Sequence, residues 1–373
     1  MGLILNDLKN ACELEHVCDY VNNRTTSSMN YISTENMLPN KGGISESTII
    51  PPGTTTEYKI GDILISNIRP YFQKIWCADR CGGCSADVLC IRAKENTDSK
   101  YLYYLLSQQA FFDYVMSGAK GCKMPRGDKK QIMQWPVNIP AIDVQKKVVA
   151  ILSSLDNKIR LNRRINDNLE EQAKALFKSW FVDFEPFKGG KFVDSKLGPI
   201  PEGWSIGKVN DVVQILSGFA FKSETFVQSG PYRLITIKGV QDGYLDISGA
   251  SYISKVPLKM PAYCNLEIGD ILLSLTGNVG RVCIVDRPNL LLNQRVAKLQ
   301  PRRDKQDLLF VYILFRQDTF KNHLLQIARG TAQLNLSPVE TREISIILPP
   351  ANVLLEFSKI GQYLFCLLYT SDA

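Results

Sequence analysis

Between residues 118 and 130 the chain sets Lys120, Lys123, Arg126, Lys129 and Lys130 against Asp128 alone, in a loop that also carries Gly118, Gly121 and Gly127. A cationic, glycine-containing loop is suited to following phosphates. Late in the chain Arg329, Thr331, Gln333 and Asn335 take the corresponding place. Arginine pairs with guanine, and asparagine or glutamine with adenine, through two hydrogen bonds in the major groove, whereas lysine mainly positions phosphates. A third group is Asn67, Arg69 and Tyr71 early, matched by Thr276, Asn278 and Arg281 late; Lys222 and Arg295 are weaker candidates. Any one of these side chains could be plain surface. As sets at equivalent places they point to DNA contact.

The sequence agrees with a non-catalytic role. It contains no Gly-x-Gly-x-x-Gly, no phosphate-binding Walker loop and no Asp/Asn-Pro-Pro-aromatic motif. Gly203 to Lys208 is one spacer short of a Walker pattern, and Val209 stands where Ser or Thr is needed. His16 and His323 are the only two histidines and do not match in position, which argues against a histidine acid–base or metal site. Cys77, Cys81, Cys84 and Cys90 are spaced too tightly for two separated zinc-binding pairs. No metal and no cofactor is expected, and reduced, partly buried cysteines are the default.

The elements that must position these residues come in two copies. Ile60 to Ser66 and Ile268 to Ser274 agree at six of seven positions. After each comes a strand-like run, an aromatic helix (Tyr101 to Val115; Leu308 to Ile327), a polar or basic loop, a closing strand (Gln134 to Ile139; Ile344 to Leu348) and a proline. Val209 to Ile215 mirrors residues 14–20. Strand patterns are expected at 60–68 and 86–92, and again at 268–275, 281–286 and 295–300. This period is too long for a solenoid and reads as two copies of one domain.

Between the copies, Val148, Leu152, Leu155, Ile159, Asn162, Asn166, Leu169, Ala173, Leu176 and Trp180 step by alternating fours and threes. That is a heptad seam, in which polar Asn162 and Asn166 would fix register or partner. Gln145 to Trp180 holds no Gly or Pro and predicts about 54 Å of helix. A long amphipathic helix packed on its own domain is the alternative. The Gly- and Pro-rich stretch at 188–204 marks a boundary. The expected domains are 1–140, a helix at 141–187, the connector 188–204, a second domain at 205–350, and the start of a truncated second helix at 351–365. Residues 366–373 look like a translated sequencing adaptor and are expected to be non-native.

A chain of 373 residues suits two domains, and its net charge of +7 matters less than its clustering. Neither a signal-peptide pattern nor a long apolar run opens or interrupts it, so ten reduced cysteines in a cytoplasmic protein are expected, with no membrane partner.

The segments Ile151 to Ile159, Asn162 to Leu169 and Ala175 to Phe184, with Gly198 to Trp204 and the paired Gly-Asp-Ile-Leu strands, resemble the DNA-specificity subunit of type I restriction–modification systems. The resemblance covers residues 12–364. It implies two target-recognition domains, each reading half of a split, asymmetric site in double-stranded DNA. It also implies conserved helices that pair antiparallel and dock methyltransferase subunits, which in turn recruit the restriction and motor subunits. Those partners would use S-adenosylmethionine, ATP and Mg; the specificity subunit is not itself a catalyst. The short second helix puts the intramolecular pairing in doubt.

The expected fold is α+β: two homologous target-recognition domains joined by a long coiled-coil-type helix, a strut that can set half-site spacing. The expected function is sequence-specific binding that directs adenine methylation or cleavage by partner subunits. Two rivals stand beside it. One is the recognition half of a fused restriction–methylation enzyme, against which Met1 at a domain start argues. The other is a coiled-coil scaffold that binds only proteins.

Overall fold

The computed structural model describes residues 11–26, 30–46, 53–121, 123–303, 307–328 and 334–370. The chain divides into two compact units at Lys158/Ile159, within one continuous 40-residue helix. Helices are α1 (Ser99–Leu106), α2 (Gln109–Ser117), α3 (Lys129–Met133), α4 (Ile142–Phe181), α5 (Val209–Val212), α6 (Leu308–Arg316), α7 (Asp318–Ile327), α8 (Pro338–Arg342) and α9 (Ala351–Thr370).

In the first unit a four-stranded antiparallel sheet runs in the order Cys18–Tyr20, Val88–Ala93, Ile63–Ser66, Ile75–Cys77. Its central strand is buried along its whole length, because alternate side chains face two different layers. Ile63, Ile65, Ile75, Leu89 and Ile91 pack with Leu102, Leu106, Phe111 and Phe112 of α1 and α2. Leu64, Trp76, Val88 and Cys90 face Tyr58 and Cys84 of a three-stranded sheet. An apolar run without polar alternation is the sequence mark of such a doubly covered strand.

The second unit repeats this frame. Its four-stranded sheet has the order Val213–Ser217, Val296–Pro301, Ile271–Ser274, Val282–Ile284. Ile63 pairs with Ile91 and Ile271 with Leu299; Ser66 pairs with Val88 and Ser274 with Val296. Both pairs are displaced by the same 208 positions. The covering sheet differs: three strands in the first unit, five in the second, with Tyr232–Ile235 parallel to Leu290–Leu292.

The shared heptapeptide is a structural device. Gly61 and Gly269 adopt φ of +88° and +92°, a left-handed turn that a side chain would strain. Each following carboxylate closes the turn by accepting from a backbone N–H, Asp62 from Lys59 at 2.7 Å and Asp270 from Glu267 at 2.8 Å. Each then pairs with a cation on the neighbouring strand: Asp62 with both Nε and a terminal nitrogen of Arg92 at 2.7 Å, Asp270 with Lys298 at 2.7 Å. Burial of a carboxylate is tolerated when it is paired and hydrogen-bonded in this way. At the far end of the same strand Ser66 Oγ donates to the carbonyl of Ile68, and Ser274 Oγ to that of Asn278.

Three expectations change. The aromatic helix is two helices in each copy, α1–α2 and α6–α7. Gln108 (ψ 147°) and Gln317 (ψ 133°) are extended, which ends one hydrogen-bonded run and starts the next.

The heptad seam is not buried throughout. Leu155 (53 %) and Ile159 (51 %) are exposed, while Leu169, Ala173 and Trp180 are buried and Leu176 half-buried. Leu152, Asn162 and Asn166 are half-buried. The buried stripe takes in Phe177 and Phe181, off the seven-residue repeat, because 3.6 residues per turn drift away from it.

Third, α9 lies mainly on α6 and touches α4 through Phe357. Phe357 meets Phe177, Trp180 and Phe181 at ring centroids of 6.3, 5.9 and 4.7 Å, and Gly361 leaves room only for Leu309 and Leu176. The α9 helix continues to Thr370, through part of the supposed non-native tail; residues 371–373 lie outside the described residues. The connector also folds. Phe192–Val193 pairs with Ile200–Pro201, and Trp204 meets Phe184 and Phe187 edge-on and Phe181 at a tilt.

Removing one partner of a buried ion pair leaves an uncompensated charge. The change Asp270→Ala is expected to cost about 3–5 kcal/mol, because Lys298 is as buried as its partner (12 % each). Asp62→Ala is expected to cost less, since water screens the 36 %-exposed Arg92. Urea unfolding midpoints followed by tryptophan fluorescence check the order; equal, negligible losses would contradict it.

Candidate nucleic-acid interface

The end of the central strand and the polar loop come together in both units. In the first, the N–H of Arg69 donates to Pro125 O at 2.8 Å and that of Gly127 to Asn67 O at 3.3 Å, with Ile68 bridged to Arg126. In the second, Gly277 donates to Leu334 O at 3.1 Å and Leu336 to Leu275 O at 2.7 Å, with Thr276 bridged to Asn335. In each unit the loop candidates and the candidates after the strand are thus held side by side by main-chain hydrogen bonds.

Individual positions refine the picture. Lys120 and Arg126 face each other in a small hairpin, exchanging N–H···O bonds of 3.0 Å. Lys120 reaches Asp128 at 3.1 Å, Arg126 reaches Asp87 at 3.1 Å, and Lys123 is exposed. Lys129 and Lys130 belong not to the loop but to the first turn of α3. Asp128 caps that helix by accepting from the N–H groups of Lys130 and Gln131, an N-cap that ends the loop two residues early. Ser337 does the same for α8.

Arg69 and Gln73 are left-handed (φ 51° each) on either side of Pro70, and present Tyr71, 49 % exposed, against Phe72 at 4.7 Å. Asn67 and Thr276 were expected at the surface but are buried; Asn67 Oδ1 and Thr276 Oγ1 lack a hydrogen-bond partner there.

In the second unit Asn278, Arg295 and Asn335 are exposed. Arg281 is half-buried and donates to Gln241 Oε1. Lys222 is placed elsewhere, on the turn that feeds strand Phe226–Val227. Arg329, Thr331 and Gln333 lie outside the described residues.

Sequence reasoning missed Asp87 and Gln241, the partners of Arg126 and Arg281. Both are distant in sequence from the side chains they hold; for Asp87, carrying the 208-residue displacement one step further would have singled it out opposite Arg295.

Behind Arg281 a charged cluster ties this region to α4. Arg316 donates to Glu170 of α4 and to Tyr312 Oη (3.0 Å), and Lys321 pairs with Asp242 at 2.6 Å. Burial opposes ionisation of Asp242, but the Lys321 hydrogen bond and the Arg316 charge outweigh it and hold the carboxyl below its usual range.

Cys77, Cys84 and Cys90 lie on three different strands, with Cys81 between the first two. Burial pushes the Cys18 and Cys84 thiols up to about 12 and Cys77 to about 11. Among the described residues no three His, Cys, Asp or Glu side chains are grouped to hold a metal ion, and no helix is long and apolar enough to cross a membrane.

This duplicated frame has relatives. The family model for the type I restriction modification DNA specificity domain matches twice, at residues 9–171 and 201–364. The chain belongs to this family. Among its relatives, the MjaVIII specificity subunit of Methanocaldococcus jannaschii is 30 % identical over 260 residues, which is 68 % of this chain and 60 % of that one. The MjaIX specificity subunit of the same organism is 27 % identical, over 73 % of this chain and 63 % of that one. The HindI specificity subunit of Haemophilus influenzae is 25 % identical over 88 % of this chain and 86 % of that one. The chain thus spans about three-fifths of the length of the two archaeal relatives. A type I restriction–modification S subunit from M. genitalium, known from a crystal structure, shares the fold at a TM-score of 0.53 and 15 % identity, over 99 % of this chain and 92 % of that one. The α+β, two-domain architecture is that of the specificity family.

The loop's cap gives a pH test. Hydrogen bonds from Lys120, then from the N–H groups of Lys130 and Gln131, hold the Asp128 carboxyl below its ordinary value of 3.8. Because the folded value is depressed, the stabilisation is full above the ordinary carboxylate range and is lost as pH falls through the folded value. Asp128→Ala is therefore expected to melt below the parent at pH 7, with the gap narrowing as the pH is taken below 3.8; a series of thermal melts from neutral to acid pH checks this, and a pH-independent gap would contradict it.

Proposed function

We propose that the chain is the sequence-reading subunit of a type I restriction–modification complex. Each unit recognises one half of a split, asymmetric site in double-stranded DNA, and partner subunits methylate adenine there or cleave. The observation that carries this reading is the repeated pinning of a polar loop to the end of the central strand, with different side chains on the same frame. A reader of two identical half-sites would have no cause to vary Arg126, Lys123 and Tyr71 against Asn335, Asn278 and Arg295.

In this reading the domains run 1–140 and 205–350, with 141–187 as the central helix, 188–204 as the connector and 351–365 as the second helix. Methyltransferase subunits dock on the helices and bring the restriction subunits with them. The exposed apolar residues Ile151, Leu155 and Ile159 of α4 are in keeping with a protein partner there. Chemistry and its cofactors, S-adenosylmethionine, ATP and Mg, belong to those partners, and the complex works in the cytoplasm.

Exchange of residues 12–140 for those of a relative with a different target is the test. Mapping of methylated adenines in cells carrying the chimera is expected to show one half of the motif replaced and the other kept. Change in both halves, or in neither, would contradict one unit per half-site.

A further inference from the structure

Arg126 and Asn335 occupy one position of the repeated frame. Each is the residue bridged to the second position after the strand's terminal serine: Ile68 follows Ser66, and Thr276 follows Ser274. Each is flanked by the same two main-chain hydrogen bonds, one accepted by the preceding residue (Pro125, Leu334) and one donated by the following residue (Gly127, Leu336). Each precedes by two residues the cap of a five-residue helix, Asp128 or Ser337. The following residue is buried in both units, so in extended backbone Arg126 and Asn335 face outward, and both are exposed.

The opposite side of this position is also equivalent. The N–H of Asn67 donates to Asp87 O, and that of Leu275 to Arg295 O, both at 2.9 Å. Asp87 and Arg295 are therefore counterparts. In the first unit Asp87 holds the Arg126 guanidinium at 3.1 Å, which limits its rotamers before any ligand arrives. In the second unit the carboxylate is replaced by a cation, so Asn335 has no acidic neighbour at that counterpart position.

We propose that this position reads one base in each half-site, with Arg126 selecting guanine in the first and Asn335 selecting adenine in the second. The inference rests on the DNA-reading function proposed above and adds the identity of the base. A guanidinium fixed at one edge by a carboxylate presents its remaining N–H groups to the O6 and N7 of guanine, and a carboxamide matches the N6 and N7 of adenine. Asp87 acts as a positioning residue: it holds one edge of the guanidinium and leaves the other N–H groups to the base, and those N–H groups, which need acceptors, disfavour a base that offers a donor there.

The test is selection from a duplex library randomised over both half-sites, by the chain in complex with its methyltransferase subunits. Arg126→Lys keeps the charge but loses the two-pronged donor. It is expected to lower the preference for guanine at a single base pair of one half-site by about tenfold or more, leaving the other half-site unchanged. Asn335→Asp is expected to remove the adenine preference at a single base pair of the other half-site. Both side chains are exposed, and an unchanged thermal melt shows that the fold is kept. If Arg126→Lys leaves the selected motif intact, or weakens all sequences alike as a phosphate contact would, the base assignment is overturned while DNA reading stands. If the parent complex selects no split motif, both fail.

Discussion

A carboxylate cannot be buried alone, and each unit is organised around that constraint. Asp62 and Asp270 lie under the first residue of the central strand, where they close a left-handed glycine turn and pair with Arg92 or Lys298 on the next strand. The pair fixes where the strand begins and which residue of its neighbour it meets. A slip of one residue would separate the charges and turn Ile63 and Ile65 away from α1 and α2 toward the second sheet, where Leu64 belongs. The serine at the other end fixes the turn out of the strand, and the polar loop is pinned beyond it. Four residues thus carry register from a buried ion pair to an exposed polar loop.

This division of labour explains what repeats and what does not. The four-stranded sheet, the broken helix pair and the capped short helix recur with the same pairings. The outer sheet has three strands in one unit and five in the other, and the exposed side chains of the polar loops differ. A frame held by buried pairs and main-chain hydrogen bonds tolerates exchange of its outward-facing residues, because those contribute little to its stability.

The frame was largely legible in the sequence, since the heptapeptide, the apolar runs and the closing prolines are local patterns. The breaks at Gln108 and Gln317 were not, because glutamine is an ordinary helix former and the break serves the packing of Phe111 and Phe320. The buried face of α4 is wider than the heptad predicts, because packing against Phe310 and Phe357 adds Phe177 and Phe181 to Leu169, Ala173 and Trp180. At the candidate interface the residue types were visible but not their partnerships. Asp87 looks like any loop acid until the fold brings Arg126 to it, and Asn67 and Thr276 look polar and accessible until the strand buries them.

In the function proposed above, two homologous frames read two different stretches of one DNA molecule. Hydroxyl-radical footprinting of the complex on its methylated target measures this directly. Two protected tracts of unlike sequence are expected, flanking an unprotected or weakly protected spacer, one of them lost when the duplex is altered in that half alone. A single continuous tract, or two tracts of identical inverted sequence, would contradict it.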